Sequence, residues 1–587
     1  MKLNDKNKER IMVAMIVIIQ TIIFIVAGIN KSYLHMDEAY SLGLANYHQV
    51  EIQANKDFYN TWHNKGYYED YLSISENERN NFLPVYENQK NDVHPPLYYL
   101  LLRVSMGFHL NHYSKWSGII VNIILYVFIT IFTYLIIKKL LYGTAKYKEK
   151  TAMLTLIANI SLASINNAIY IRMYAFSTLN IIITTYLHLK LLEQKENNNK
   201  LLVLIGLSAL VGSLTHYYYL FYLVTMFFMF VVKYIKEKQY KLLGKYIITM
   251  LLAGAISLLI FPYSIQHMFF GYRGQGVLNN LINIPEFFKR ICQYIFIINI
   301  YTFHNILFIL LIFLFVVIIY KKAKKIKLIE TKNKYLPYFI FPTLGYFILV
   351  AISAPWIELR YMLPICSLIF ILVLYGVMVL LKNITTKKTK RKIMIGIIVL
   401  FFVMIPISNY VIDLALGKDF RTEQEVYYSS KQEIVERLKN KLNIPIEIFS
   451  KASDEPIDNI LLYMKNFKIE PEVLYSNKKE IVETIKNNPN TPALYVFNSS
   501  HNRFLDDILL FANITESYIA KDMECNEENI KKILLDKDIS DGVLVFINDG
   551  QENEEIIQVI QKATNFNQTT YLQRLNACDV YYIENTL

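Results

Sequence analysis

Two adjacent carboxylates, Asp37 and Glu38, stand in the stretch His35-Met36-Asp37-Glu38-Ala39-Tyr40-Ser41, a few residues beyond an apolar run. A membrane span there would release the chain into water. An acid at that depth is costly unless a cavity or a partner receives it, so it marks a functional site by default. Such a carboxylate can take a proton from an acceptor hydroxyl or amine. A second stretch, Asn91-Asp92-Val93-His94-Pro95-Pro96-Leu97-Tyr98-Tyr99, sets an acid and an imidazole before two prolines. Proline fixes the backbone and suits the first turn of a helix, so Asp92 and His94 are held at a defined entry to the membrane surface. At headgroup level an imidazole can contact a phosphate. As structure alone, the same residues would make a capped interfacial helix.

Arg172-Met173-Tyr174-Ala175 and Glu358-Leu359-Arg360-Tyr361-Met362-Leu363-Pro364 each place an arginine and a tyrosine at the mouth of a span. Snorkelling arginines and interfacial tyrosines are common, but a guanidinium also binds phosphate bidentately and stays charged. His216, in Thr215-His216-Tyr217, is a weaker candidate, and Tyr272 and Arg273 belong to a loop suited to close over a site. Together these residues suit displacement of a lipid phosphate from a sugar's anomeric carbon: a base takes the acceptor proton, and cations stabilise the departing phosphate. A single-step inversion needs only one carboxylate to act directly, whereas a retaining double displacement needs a second as nucleophile. Asp37 is therefore expected to be the base. Glu38, which points away from it if the loop is extended, is expected to orient a group or contact the acceptor. Asp37, Glu38, Asp92 and His94 are donors of a kind Mg or Mn accepts, yet no spacing demands a metal. The expected site requires no cofactor, with a divalent metal optional.

The elements that must position these residues follow from composition. Of 587 residues, 54% are hydrophobic and 14% aromatic, and many runs reach the roughly 20 residues that cross a bilayer as a helix. The formal net charge is +12, but from Ile412 onward acids exceed bases by 11, which leaves +23 on the preceding part. The basic excess thus belongs to the membrane part, and no nucleic-acid partner is implied. Residues 11–29 follow a Lys-rich start with no small-residue cleavage pattern and read as a retained signal anchor. Basic loops collect on the cytoplasmic side. That rule puts the N-terminus inside and a long first loop, 30–115, outside. Residues 97–110 are short and contain Arg103, so they read as an interfacial helix. Further spans are expected near 116–137, 151–169, 173–191, 201–215, 217–232, 246–262, 303–320, 335–353, 362–381 and 393–411, making about eleven transmembrane helices. An outer loop spans 263–302. With this parity every candidate site residue falls on the outer side.

The expected architecture is a polytopic α-helical membrane domain over 1–411 and a soluble, extracytoplasmic α/β domain over 412–587. In the latter, strand-like runs at 445–449, 493–497 and 542–547 alternate with helix-like ones at 431–442, 478–486 and 552–562. There is no glycine-rich phosphate loop, nucleophile elbow or repeat. Of four cysteines, Cys525 and Cys578 lie in this polar part and are candidates to pair if it is outside the cell.

Met36-Asp37-Glu38-Ala39-Tyr40, His94-Pro95-Pro96-Leu97-Tyr98, Arg172-Met173-Tyr174-Ala175 and Arg360-Tyr361-Met362-Leu363-Pro364 occur in an order and spacing that resembles the GT-C membrane glycosyltransferases. The branch it is most similar to holds the protein O-mannosyltransferases and aminoarabinose transferases. The resemblance covers roughly 11–411. It implies a GT-C-like fold and inverting transfer of a sugar from a polyprenyl-phosphate donor, on the outer face, to an envelope glycan, lipid or protein acceptor. It implies an acidic residue of the first loop at the catalytic centre, a role that falls on Asp37, with Glu38 beside it. His94 stands where the aminoarabinose branch has a phosphate-contacting lysine, a departure that bears on charge at that point. Nothing carries over to the C-terminal domain.

Two rival classes fit parts of the pattern. A transporter or flippase of lipid-linked sugars also needs aromatic cavities and headgroup-binding arginines, but transporters usually hold their charges near the midplane on broken helices and carry internal repeats. An inactive scaffold whose C-terminal domain binds an envelope partner would tolerate Asp37→Asn and Arg172→Ala.

Overall fold

In a computed structural model, the structure describes residues 5–31, 34–46, 58–144, 146–194, 198–271, 274–277, 280, 284–328, 333–381, 384, 389, 392–404, 479–497, 504–548, 551–575 and 578–585. The chain divides into two compact units. One contains Met1–Ile29, Gln89–Leu101 and Gly118–Tyr410; the other contains Asn30–Asn88, Leu102–Ser117 and Val411–Leu587. The first loop, expected to belong with a membrane domain over 1–411, therefore groups largely with the C-terminal part.

The first unit is helical, and the protein is a multi-pass membrane protein. Six helices among the described residues are long and apolar enough to cross a bilayer, or up to eight if each of two bent pairs is one span. The six are α1 (Asp5–Asn30), α6 (Trp116–Leu141), α11 (Tyr219–Lys236), α12 (Tyr240–Ile260), α15 (Leu336–Ser353) and α16 (Leu363–Leu380). One bent pair joins α7 (Tyr147–Asn159) to α8 (Leu162–Ile169) at 59°. The other joins α13 (Ile284–Phe303) to α14 (Leu307–Ala323) at 101°. Large apolar side chains such as Leu251 and Leu259 of α12 lie exposed, as lipid-facing positions require.

The expected spans overlap described helices, but eleven continuous spans are not found among the described residues: 151–169 is broken between α7 and α8, and 303–320 begins at the break between α13 and α14. In addition, α9 (Tyr174–Leu191), α10 (Asn199–Ser213) and α17 (Lys392–Met404) do not meet the length and hydropathy of a span. Polar residues of α9 and α10 pair inside the bundle: Thr184 bonds Ser208 and Tyr219, and Thr185 bonds Tyr222. The expected outer loop at 263–302 requires correction. It contains the twenty-residue helix α13, whose apolar residues are interrupted by Lys289, Arg290 and Gln293 and so escape a span-sized apolar pattern.

The first loop supplies α2 (Met36–Leu44) and α3 (Lys65–Leu72) to the second unit, and the residues of α4 (Leu83–Asn91) and α5 (Leu97–Met106) are divided between the two units. Pro95 and Pro96 immediately precede α5, as their fixed φ favours. Arg103, expected to mark an interfacial helix, is buried and donates to the carbonyls of Ala45, at 2.9 Å, and Glu78, at 2.8 Å. A cation at the C-terminus of α2 also suits that helix's dipole.

The C-terminal part is an α/β sheet of six strands in the order β1-β3-β2-β4-β6-β5, formed by β1 (Trp62–Asn64), β2 (Ala493–Phe497), β3 (Glu516–Lys521), β4 (Val543–Asn548), β5 (Gln568–Arg574) and β6 (Cys578–Glu584). The central pairs β2–β3 and β2–β4 are parallel. Accordingly β2 and β4 read as continuous apolar runs buried along their whole length. One face packs Leu494, Val496, Val545 and Ile547 against Ile530 and Leu534 of α20 (Glu527–Leu534) and Ile556 and Ile560 of α21 (Asn553–Thr564). α18 (Lys479–Asn487) and α19 (Ile508–Phe511) complete the described helices.

The expected elements at 478–486, 493–497, 542–547 and 552–562 match α18, β2, β4 and α21 within two residues, whereas those at 431–442 and 445–449 lie outside the described residues. Cys525 and Cys578 do not pair; both are free thiols, Cys578 buried within β6.

Candidate functional site

The acid pair lies on a helix, not an extended loop. His35 caps α2: its Nδ1 accepts the Asp37 N–H at 3.1 Å, and its own backbone N–H donates to Glu38 Oε2 at 2.9 Å. This reciprocal capping places both acids in the first turn, where the helix dipole favours negative charge. Successive helical residues diverge by about 100°, and the two acids accordingly have different surroundings. Glu38 is fully buried, and Lys31 Nζ donates to both of its carboxylate oxygens, at 2.5 and 2.7 Å. Lys115 in turn donates to the Lys31 carbonyl at 2.5 Å. Asp37 is partly exposed. Glu38 thus anchors the helix start, and Asp37 is the acid of the pair with solvent access.

Lys31 was not singled out in the sequence, where a lone lysine beyond a span reads as a snorkelling anchor. It stands seven residues before Glu38, a spacing that by itself gives no sign of the pairing. Removing one partner of a fully buried ion pair strands the other charge and costs about 3–5 kcal/mol. Lys31→Met is therefore expected to lower the unfolding midpoint of the purified protein by a corresponding amount. Lys31→Met combined with Glu38→Gln should recover much of that loss. An unchanged midpoint in the single variant would contradict the anchoring role.

The membrane unit holds a second constellation. The turn between α8 and α9 is fixed by Asn122, whose amide donates to the Tyr170 carbonyl at 2.6 Å, and by Arg172 N–H donating to the same carbonyl at 2.8 Å. Arg172 is 5% exposed, and its Nη1 lies 3.4 Å from the Tyr99 hydroxyl of α5. Asp92 and His94 pair through Oδ2 and Nδ1 at 2.8 Å. The His94 ring lies 6.2 Å from that of His216, which lies 5.5 Å from Tyr174. Burial pushes the Asp92 carboxyl up, but His94 and the Arg172 guanidinium more than offset this and hold it below the usual carboxylate range. Burial works against the Arg172 charge too, yet the oxygens of Tyr99, Tyr174, Tyr170 and Asp92 raise its pKa, so it remains a guanidinium.

His216 is the reverse case. Burial, His94 and Arg172 all disfavour its protonation and lower its pKa well below 6.5, and its Nδ1 accepts the Tyr218 N–H at 3.1 Å. Folding therefore holds His216 neutral, so its contribution to stability is fully present above 6.5 and is lost as pH falls below that value. Asp92, also depressed on folding, adds a further loss only below the ordinary carboxylate value of 3.8. The melting temperature in detergent should thus fall as pH drops from about 7 to about 5, and His216→Asn should flatten that fall. An identical slope in the variant would refute the assignment.

Arg360 and Tyr361 adjoin this cluster. The Tyr218 ring, beside His216, lies 5.5 Å from Tyr361. Arg360 pairs through Nε with Glu358, and its guanidinium lies 5.3 Å from the Tyr361 ring centroid and 6.0 Å from that of Trp356. Tyr346 donates to the Tyr361 carbonyl at 2.9 Å, fixing the turn before α16. His267, not anticipated from sequence, meets the Tyr217 hydroxyl at 2.9 Å and the Lys90 carbonyl at 3.2 Å.

The structure thus brings the buried Arg172, Tyr174 and His216 together with the partly buried Asp92–His94 pair, with Arg360 and Tyr361 next to them through Tyr218. Asp37 and Glu38 belong to the other unit. Tyr272 and Arg273 lie outside the described residues. Among the described residues no three of His, Cys, Asp and Glu are grouped to hold a metal. The aromatic walls, a permanent guanidinium and an acid–imidazole pair form a setting suited to an anionic headgroup.

No family model matches the chain, and no curated protein matches it. Solved structures do. ArnT from Cupriavidus metallidurans bound to undecaprenyl phosphate is similar with a TM-score of 0.50 at 11% identity, over 97% of each chain. The same protein in its apo state gives 0.48 at 10%, again over 97% of each. The chain therefore shares the fold of an aminoarabinose transferase over nearly its whole length, the GT-C-like architecture expected from its motifs.

Proposed function

We propose that the protein transfers a sugar from a polyprenyl-phosphate carrier to an envelope glycan, lipid or protein acceptor at the outer face of the membrane, with inversion at the anomeric carbon. The observation that carries this reading is the buried Arg172 and His216 gathered with the partly buried Asp92–His94 pair. It is supported by a fold shared with a transferase that was solved with undecaprenyl phosphate bound. In the reaction, the acceptor oxygen or nitrogen gives its proton to the Asp37 carboxylate and forms a bond to the anomeric carbon. The bond from that carbon to the phosphate oxygen breaks, and its electron pair leaves with the polyprenyl phosphate. Arg172 and Arg360 stabilise the added negative charge, and His94 contacts the phosphate. Tyr174, Tyr361 and His216 line the headgroup. No cofactor is required, and Mg or Mn is optional.

The test uses purified full-length protein in liposomes with undecaprenyl-phosphate sugars of several labelled headgroups and an envelope extract as acceptor. Covalent label in the extract, with release of undecaprenyl phosphate, is expected. Label that changes leaflet with no bond broken would overturn the reading in favour of a flippase.

A further inference from the structure

We infer that the C-terminal sheet is a working part of the transfer apparatus, with Asn60, Trp62 and Tyr68 as positioning residues through which it sets α2 and so Asp37. The inference rests on Asp37 being the base of the proposed reaction. All the contacts that support it lie inside the second unit.

The first loop adds its own strand to the sheet, β1 pairing antiparallel with β3 as Trp62↔Tyr518, His63↔Ser517 and Asn64↔Glu516. Asn60, at φ 57°, extends this pairing with its side chain. Its Oδ1 accepts the Lys521 N–H at 3.0 Å, and its Nδ2 donates to the Lys521 carbonyl at 3.3 Å. The Trp62 indole donates to the Ile533 carbonyl at 3.2 Å, with Lys537 4.5 Å above its ring. The hydroxyls of Tyr68 and Ser517 lie 2.5 Å apart, both residues buried. Tyr68 and Phe58 of the loop also share an aromatic core with Phe504, Phe511, Tyr495 and Phe546 on the second face of the sheet. A merely appended domain would need only a linker. This one shares its hydrophobic core with the loop.

Two routes lead from that core to the acid. Along α3, Tyr71 lies so close to α2 that a Cβ at Gly43 would be 2.1 Å from its ring. Next to it the Asn46 amide ties the end of α2 to the carbonyls of Asp70, at 2.6 Å, and Tyr71, at 3.2 Å, as well as to that of Ser73. Separately, the turn Phe504–Asp507, whose Phe504 packs on Tyr68, lies directly against α2. A reacting group must be held to a fraction of an ångström, and a displacement of about 1 Å far from the chemistry can cost about 10²-fold in rate.

The test compares Asn60→Gly, Tyr68→Phe and Ser517→Ala in the full chain. Asn60 is exposed and already at a positive φ, so glycine keeps the backbone and removes only the two side-chain bonds. Turnover of undecaprenyl-phosphate sugar is expected to fall about tenfold in kcat with donor KM unchanged. The melting temperature should hold in Asn60→Gly, whereas Tyr68→Phe and Ser517→Ala, which strand a buried hydroxyl, should lower it, and Ser517→Thr should keep wild-type turnover. A second readout needs no activity: Asp37→Cys in a Cys292→Ser, Cys525→Ser background, which leaves only buried native thiols, labelled with a charged methanethiosulfonate. The labelling rate at position 37 should change when Asn60→Gly is added. Wild-type kcat and an unchanged labelling rate would overturn the inference. Absence of any transfer by the wild type would instead overturn the proposed reaction and leave the labelling result to decide the positioning.

Discussion

Asp37→Asn is expected to abolish sugar transfer while leaving the protein folded and able to bind its donor. Asparagine keeps the shape of the side chain, and the Asp37 backbone contacts persist: its N–H still donates to His35 Nδ1, and its carbonyl still accepts the Ser41 hydroxyl at 2.9 Å. What is lost is the ability to take a proton. A positioned general base contributes roughly 10²–10⁴-fold, so kcat should drop by about that factor with donor affinity unchanged. Glu38 cannot substitute, because both of its carboxylate oxygens receive Lys31 Nζ in full burial. Steady-state turnover and donor binding measured on the same preparation check this. Full residual turnover would remove Asp37 from the mechanism.

Arg172→Gln is expected to act on the other side of the reaction. The guanidinium is buried, charged and within the field of Asp92, and its loss removes the permanent cation of the cluster while leaving the Asp92 carboxylate to His94 and the Val93 N–H. Truncating one member of a buried charged group costs about 2–4 kcal/mol, or roughly 30- to 1,000-fold in affinity. Binding of undecaprenyl phosphate should weaken by that amount, and kcat should fall too, because the charge it offsets grows as the phosphate departs. Arg172→Lys is not expected to rescue, since an ammonium lacks the planar fork. Titration of undecaprenyl phosphate into the variant checks both; wild-type affinity would exclude a phosphate role.

The motifs legible in the sequence were those carried by short contiguous stretches. Asp92 and His94 are two residues apart and do pair, and the turns bearing Arg172 and Arg360 stand next to α9 and α16 as their flanking apolar runs require. What could not be read depends on partners distant in sequence or on elements too short to show a period. Lys31 gave no sign of its pairing with Glu38, and Arg103 read as a surface cation although it is buried between Ala45 and Glu78. β1 is three residues long, Trp-His-Asn, and no alternation could have assigned it to a sheet formed more than four hundred residues later. The fusion of the first loop with the C-terminal sheet was therefore invisible, and with it a role for that domain. The extended reading of Asp37 and Glu38 failed for a local reason: histidine is an uncommon cap, and its reciprocal bond with Glu38 escapes the usual Ser/Thr signature.

The most direct test follows one labelled polyprenyl-phosphate sugar through binding and discharge by the wild type, Asp37→Asn and Arg172→Gln in parallel. The wild type should bind and discharge it, Asp37→Asn should bind with little discharge, and Arg172→Gln should bind it roughly 30- to 1,000-fold more weakly. Discharge at the wild-type rate by Asp37→Asn, or wild-type binding by Arg172→Gln, would contradict the division of labour between acid and guanidinium.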